Sequence, residues 1–235
     1  MVKHNNGNHS QRNNKRIPKI FKPRRQIRII IRFKKFTLLA EKRECWWIME
    51  EIIGCGSVNQ LLWVEKIGYE YDKNKICEIA ASGGNLEILK YAHKNNCLWN
   101  GSTCSEAAKW GHFECLRYLH ENGCEWDEFT CSSAAYGGRL DCLKYAHENG
   151  CPWDWDTCRS AAEYDNLECL IYAHENGCEW DEDTCINAAL ENSLECLKYA
   201  HKNGCAWNKD ICVVASETGY LSILQYCYDN GLEWI

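Results

Sequence analysis

The residues with the greatest chemical capacity in this 235-residue chain are its 18 cysteines and 8 histidines, and they fall in a pattern. Cys142, His147 and Cys151 form a Cys-x4-His-x3-Cys string, which recurs at Cys115, His120, Cys124 and at Cys169, His174, Cys178. Thiolate and imidazole are ligands that zinc prefers, so a metal array is the first chemistry to weigh. Substitution inside the pattern argues against it. The place of Cys142 is taken by Ile88 and Ile223 in other copies, and that of Cys151 by Leu232. An aliphatic side chain does not replace a metal ligand, but it does replace a buried thiol acting as a small hydrophobe. The sequence therefore predicts no metal and no cofactor.

Other chemistries fare no better. Eighteen cysteines in a small secreted chain would suggest a disulfide framework. Met1 to Asn14 carry no apolar h-region of a secretory signal, so free thiols in a reducing intracellular compartment, cytoplasm or nucleus, are expected. The His column, His93, His120, His147, His174 and His201, is expected to donate to a loop carbonyl of a neighbouring repeat. Gly83-Gly84 and Gly137-Gly138 lack the phosphate-cradling pattern and read as helix stops. The carboxylates recur with the repeat, which marks them as helix caps and solvated faces. Catalysis needs one unique constellation, and none is visible, so the chain is not expected to be an enzyme.

The elements that position these residues follow from a strict period. Cys77, Cys104, Cys131, Cys158, Cys185 and Cys212 are spaced by 27 residues. Trp99 to Trp234 and Tyr91 to Tyr226 keep the same step. Six copies fill residues 76–235, and Gly68 to Asp72 are the trace of a divergent seventh, so residues 44–75 are expected to form an N-terminal cap. Within one copy, Cys131, Ala134 and Ala135 lie at i, i+3 and i+4 and share a helical face. Leu140, Leu143 and Ala146 mark a second helix, ended by Asn149-Gly150. Asp127 and Asp181 are candidate N-caps. Helices of about ten residues do not persist alone, so each pair must bury its apolar stripe against its neighbours in a stacked solenoid. The Trp column is expected to be core, wedged between repeats, with Trp155 outside it and exposed.

Thr103–Ala108 (TCSEAA) and Thr157–Ala162 (TCRSAA) resemble the first helix of an ankyrin repeat, and Gly111–Trp126 and Gly138–Trp153 resemble its second helix and following turn. The ordinary ankyrin unit has about 33 residues. Here the residues of the projecting β-hairpin finger are missing, and Thr-Pro has become Thr-Cys. The chain is similar to short, Cys- and Trp-rich ankyrin-like arrays of large DNA viruses of amoebae and some protists. The resemblance covers 76–235 strongly, 44–75 weakly and 1–43 not at all. It implies an all-α, ankyrin-like solenoid of helix-turn-helix repeats without the finger, working as a monomeric scaffold for a protein partner.

Two surfaces are candidates for that work. The most variable positions of the first helices include Trp110, Tyr136, Arg159, Tyr164 and Leu190, residues expected to form one partner-binding stripe; aromatics and Arg are enriched at binding hot spots. The second is the basic arm. Residues 1–43 carry 14 Lys/Arg and one acid, a net +13, whereas residues 44–235 carry a net −19. Lys22, Arg24, Arg25, Arg28, Arg32, Lys34 and Lys35, interleaved with Ile and Phe, are candidate contacts to nucleic acid or another acidic surface. No apolar run reaches the roughly 18 residues of a membrane span.

Overall fold

Each 27-residue copy encodes two helices, and neither is long enough to stand alone. The computed structural model describes residues 46–68 and 71–232. The expectations for residues 1–43, for Tyr69 and Glu70 of the divergent copy, and for Trp234 fall outside them. Helices α1 (Trp46–Cys55) and α2 (Val58–Lys66) precede a short 3-10 turn, Lys73–Lys75. The pairs α3 (Ile76–Ser82) with α4 (Leu86–Lys94), α5 (Gly101–Trp110) with α6 (Phe113–Glu121), and α7 (Glu128–Tyr136) with α8 (Leu140–Glu148) follow. The series ends with α9 (Trp155–Glu163) and α10 (Leu167–Glu175), α11 (Glu182–Leu190) and α12 (Leu194–Lys202), and α13 (Asp210–Thr218) and α14 (Leu221–Asp229). No strand occurs among the described residues. The fold is an all-α, ankyrin-like solenoid, and the described residues form one compact unit.

Residue size dictates how the pairs stack. The first helices α3, α5, α7, α9, α11 and α13 pack on one another in succession, and the second helices touch more lightly. The close faces are built from small residues: Cys131, Ala134 and Ala135 of α7 are fully buried, as are Cys104, Ala107 and Ala108 of α5. Cys142, Leu143 and Ala146 carry the buried stripe of α8. Leu140, expected on that stripe, is only half buried, because it is the first residue of its helix and Cys142 takes the core position. Burying a leucine such as Leu143 contributes about 1.5–3 kcal/mol.

The connections are set by local chemistry. Between α7 and α8, Gly138 adopts φ +66°, and the Arg139 amide returns to the Ala134 carbonyl at 2.8 Å. After α8 the Asn149 side chain donates to the Tyr145 carbonyl at 2.8 Å, and the Cys151 amide to Ala146 at 2.9 Å. Asp181 caps α11, accepting from the Thr184 amide at 3.2 Å. Asp127 occupies the N-cap position of α7 without a capping bond, contrary to expectation. Its carboxylate instead packs against Gly101, where a Cβ would stand 2.9 Å from Oδ2.

Candidate partner-binding face

The C-terminal ends of the first helices carry the variable aromatic residues. Trp110, the last residue of α5, is 36% exposed, and its indole N–H donates to the Glu106 carboxylate at 2.9 Å. Tyr136 ends α7 and Tyr164 follows α9; their rings lie 4.0 Å apart, tilted by 48°. The Lys109 ammonium sits 4.7 Å over the Tyr136 ring and 5.8 Å over that of Trp110, within the range of cation–π attraction. Leu190, the last residue of α11, is 40% exposed. Burial, followed by hydrogen bonding to Tyr136, raises the Tyr164 phenol pKa. Arg159 differs from the other four. It lies at the middle of α9, pairs with Asp156, and covers the Trp155 indole at 4.6 Å.

A second recurring arrangement joins successive repeats. His147 Nδ1 lies 3.0 Å from the Tyr172 hydroxyl, and the ring stacks on Trp153 at 3.7 Å and 11°. The edge of Tyr172 meets the Trp153 ring at 6.2 Å. The same trio recurs from His93, Trp99, Tyr118 to His201, Trp207, Tyr226. Two expectations are thereby corrected. The histidines bond a phenol rather than a loop carbonyl, because Tyr of the next repeat reaches Nδ1 first. The tryptophans from Trp99 to Trp207 do contact the next repeat, but as half-buried surface rings, with His on one face and the edge of the next Tyr against the ring.

The thiols form a third column. All described cysteines are free, and most are buried. Cys124, Cys151, Cys178 and Cys205 donate S–H to the carbonyls of Asn100, Asp127, Asp154 and Asp181 at 3.3, 3.2, 3.0 and 3.1 Å. Burial pushes Cys115, Cys169 and Cys196 up to about 12 and Cys142 up to about 11. Cys205 moves the other way, because the Cys185 S–H donates to it. Thiols held protonated are poor nucleophiles and poor ligands. Among the described residues no group of three or more His, Cys, Asp or Glu is placed to hold a metal ion.

Sequence reasoning missed one column entirely. Asn85, His112, Arg139, Asn166 and Ser193 are spaced by 27 residues and each donates to a carbonyl at the helix end of the preceding repeat. Asn166 reaches Ala135 and Tyr136 at 2.8 and 3.0 Å, His112 Nε2 reaches Ser82 at 3.0 Å, and Arg139 reaches Lys109 at 3.4 Å. Identity varies down this column while donor capacity persists; that shared capacity was the available signal. Phe129, 59% exposed at the start of α7, was also missed. Trp155 is exposed as expected. The basic residues Lys22, Arg24, Arg25, Arg28, Arg32, Lys34 and Lys35 lie outside the described residues.

Residues 104–145 match the family model for ankyrin repeats (many copies). Among solved structures, the human ASB11 ankyrin repeat domain is similar over 64% of this chain and 84% of its own, at 17% identity and a TM-score of 0.47. No curated protein matches the chain. No helix among the described residues is long and apolar enough to cross a membrane.

Proposed function

We propose that the chain is a non-enzymatic protein–protein interaction scaffold that binds its partner on the first-helix side of the array. Ankyrin repeats generally mediate protein–protein interaction, which supports the class of function. The rim supports the location. Trp110, Tyr136, Tyr164 and Leu190 place large apolar side chains at the solvent-facing ends of helices whose other faces are packed Cys and Ala. Left in water, such surface forgoes about 25 cal/mol per Å² of stabilisation; a partner that covers it recovers that term. Ring contact and Lys109 hold Tyr136 and Tyr164 in place before binding, which reduces the side-chain entropy lost on association.

The test compares the full chain with its Trp110→Ala/Tyr164→Ala variant as baits in extract of the source cell, with captured proteins identified by mass spectrometry. The reading requires that specific partners of the wild type are lost from a variant of unchanged helicity. Equal capture by both removes the rim from consideration.

The net +13 of residues 1–43 favours a second reading, a tether to nucleic acid or an acidic surface through Lys22, Arg24, Arg25, Arg28, Arg32, Lys34 and Lys35. Phosphate binding falls steeply with salt, so deletion of residues 1–43 and a salt titration separate the two readings. The free thiols suit a reducing compartment. The 27-residue Cys/Trp-rich pattern is in keeping with the viral ankyrin-like arrays it resembles.

A further inference from the structure

We propose that the first-helix side takes a Lys- or Arg-bearing extended peptide segment of its partner at the N-terminal ends of α7, α9 and α11. The proposal rests on the interaction reading above and adds the chemistry of the partner. These three helices pack side by side. They open Glu128-Phe129, Trp155-Asp156 and Glu182-Asp183, so that residues 128, 155 and 182 are equivalent, as are 129, 156 and 183. These six positions carry four carboxylates and two rings, Phe129 and Trp155, in adjacent repeats. Phe129 is 59% and Trp155 43% exposed.

First-turn carboxylates suit the helix dipole, but the dipole gives no reason for an aromatic residue there. Other repeats place Gly101-Ser102 and Lys209-Asp210 at these positions, so the fold does not require a ring. What the surface accepts is already visible within the chain. The Arg159 guanidinium lies 4.6 Å over the Trp155 indole while pairing with Asp156. A guanidinium between an indole face and a carboxylate is the contact that a partner's Arg or Lys would make. Among the described residues, no Lys or Arg pairs with Glu128, Glu182 or Asp183. The net −19 of residues 44–235 attracts a cationic segment and repels nucleic acid. The rim lies at the opposite ends of the same helices, about 13 Å away at 1.5 Å per residue, within the span of one extended partner segment.

The test uses the full chain and a fluorescent oligo-arginine peptide followed by anisotropy. Trp155→Glu and Phe129→Ser carry residue types that sister repeats already hold in these positions, Glu128 or Glu182 and Ser102. Trp155→Glu is expected to weaken binding about tenfold although it adds a carboxylate, and Phe129→Ser to weaken it in the same sense. Unchanged or tighter binding by Trp155→Glu is what attraction to a merely acidic surface gives, and it overturns the proposal. Trp110→Ala/Tyr164→Ala is expected to weaken peptide binding less than Trp155→Glu does. If that variant loses the peptide and Trp155→Glu keeps it, the cationic site is at the rim, and this proposal fails while the interaction reading survives. If Trp155→Glu loses the peptide and the rim variant still captures every partner, the rim reading fails and this site stands.

Discussion

The Nδ1 of His147 lies 3.0 Å from the phenol oxygen of Tyr172, 25 residues later and one repeat along the array. The same bond is made by His93, His120, His174 and His201 with Tyr118, Tyr145, Tyr199 and Tyr226. Each His is also held by the Trp that follows it, so the pair is positioned before the next repeat docks. In a solenoid, stability is nearly a sum of repeat terms and nearest-neighbour terms, and this bond belongs to the neighbour term.

Tyr172→Phe keeps the ring and removes the hydroxyl. The unfolding free energy should fall by about 0.5–1.5 kcal/mol, toward the lower end because water reaches the half-buried His147. Urea unfolding followed by helicity checks this. The loss should vanish when His147 is already Ala, and a loss that persists there would mean that the hydroxyl acts through some other partner.

The buried thiols predict an alkaline limit. Cys115, Cys169 and Cys196 are pushed up to about 12 and Cys142 to about 11, against an ordinary value of 9.0. The unfolded chain thus releases these protons first as pH rises, and the native state is the better proton binder. Their contribution is intact below pH about 9 and is lost as pH climbs toward 11–12, at up to about 1.4 kcal/mol per pH unit for each thiol. Urea midpoints measured from pH 8 to 11 check this, and Cys142→Ala should flatten the decline by one thiol's share. Treatment with a chelator at pH 7 should leave the midpoint unchanged.

The repeat, the two helices, their stops and the buried Cys-Ala faces were legible because each rests on a strict spacing or on a residue type that recurs. Cys131, Ala134 and Ala135 form the predicted face because 3.6-residue periodicity fixes it. The His–Tyr bond was not legible, since nothing in a single repeat says which atom of the next one Nδ1 will meet. The burial of Trp153 was overestimated for a related reason: size alone argues for core, but the covering ring is a polar His that itself faces water. Variability alone groups Arg159 with the rim, but its place half a helix earlier puts it with Trp155 and Asp156 instead.

Gly138 and Gly150 both adopt positive φ, +66° and +83°, but in different surroundings. A Cβ on Gly138 would collide with the Asn166 carboxamide, which caps the end of α7; on Gly150 it would meet nothing within 4 Å. Gly150→Ala should therefore cost only the backbone strain, about 1 kcal/mol. Gly138→Ala should cost about 2 kcal/mol or more, because it also displaces a capping bond. Equal losses in urea unfolding would show that the Asn166 contact contributes nothing.

His112 gives the array an acid-side dependence. Burial lowers its pKa from 6.5, the Arg139 charge adds to the shift, and the bond to the Ser82 carbonyl opposes it. The unfolded chain binds this proton more readily than the native one as pH falls below 6.5. The native state is therefore at full strength above that value and weakens as pH drops toward the folded pKa. Asn performs the same capping role at positions 85 and 166 without titrating. His112→Asn should accordingly match the wild type near pH 8 and exceed it near pH 5 in melting temperature. A residual slope is expected from His201, which burial also lowers. If the variant and the wild type decline in parallel from pH 8 to 5, His112 is not the group responsible.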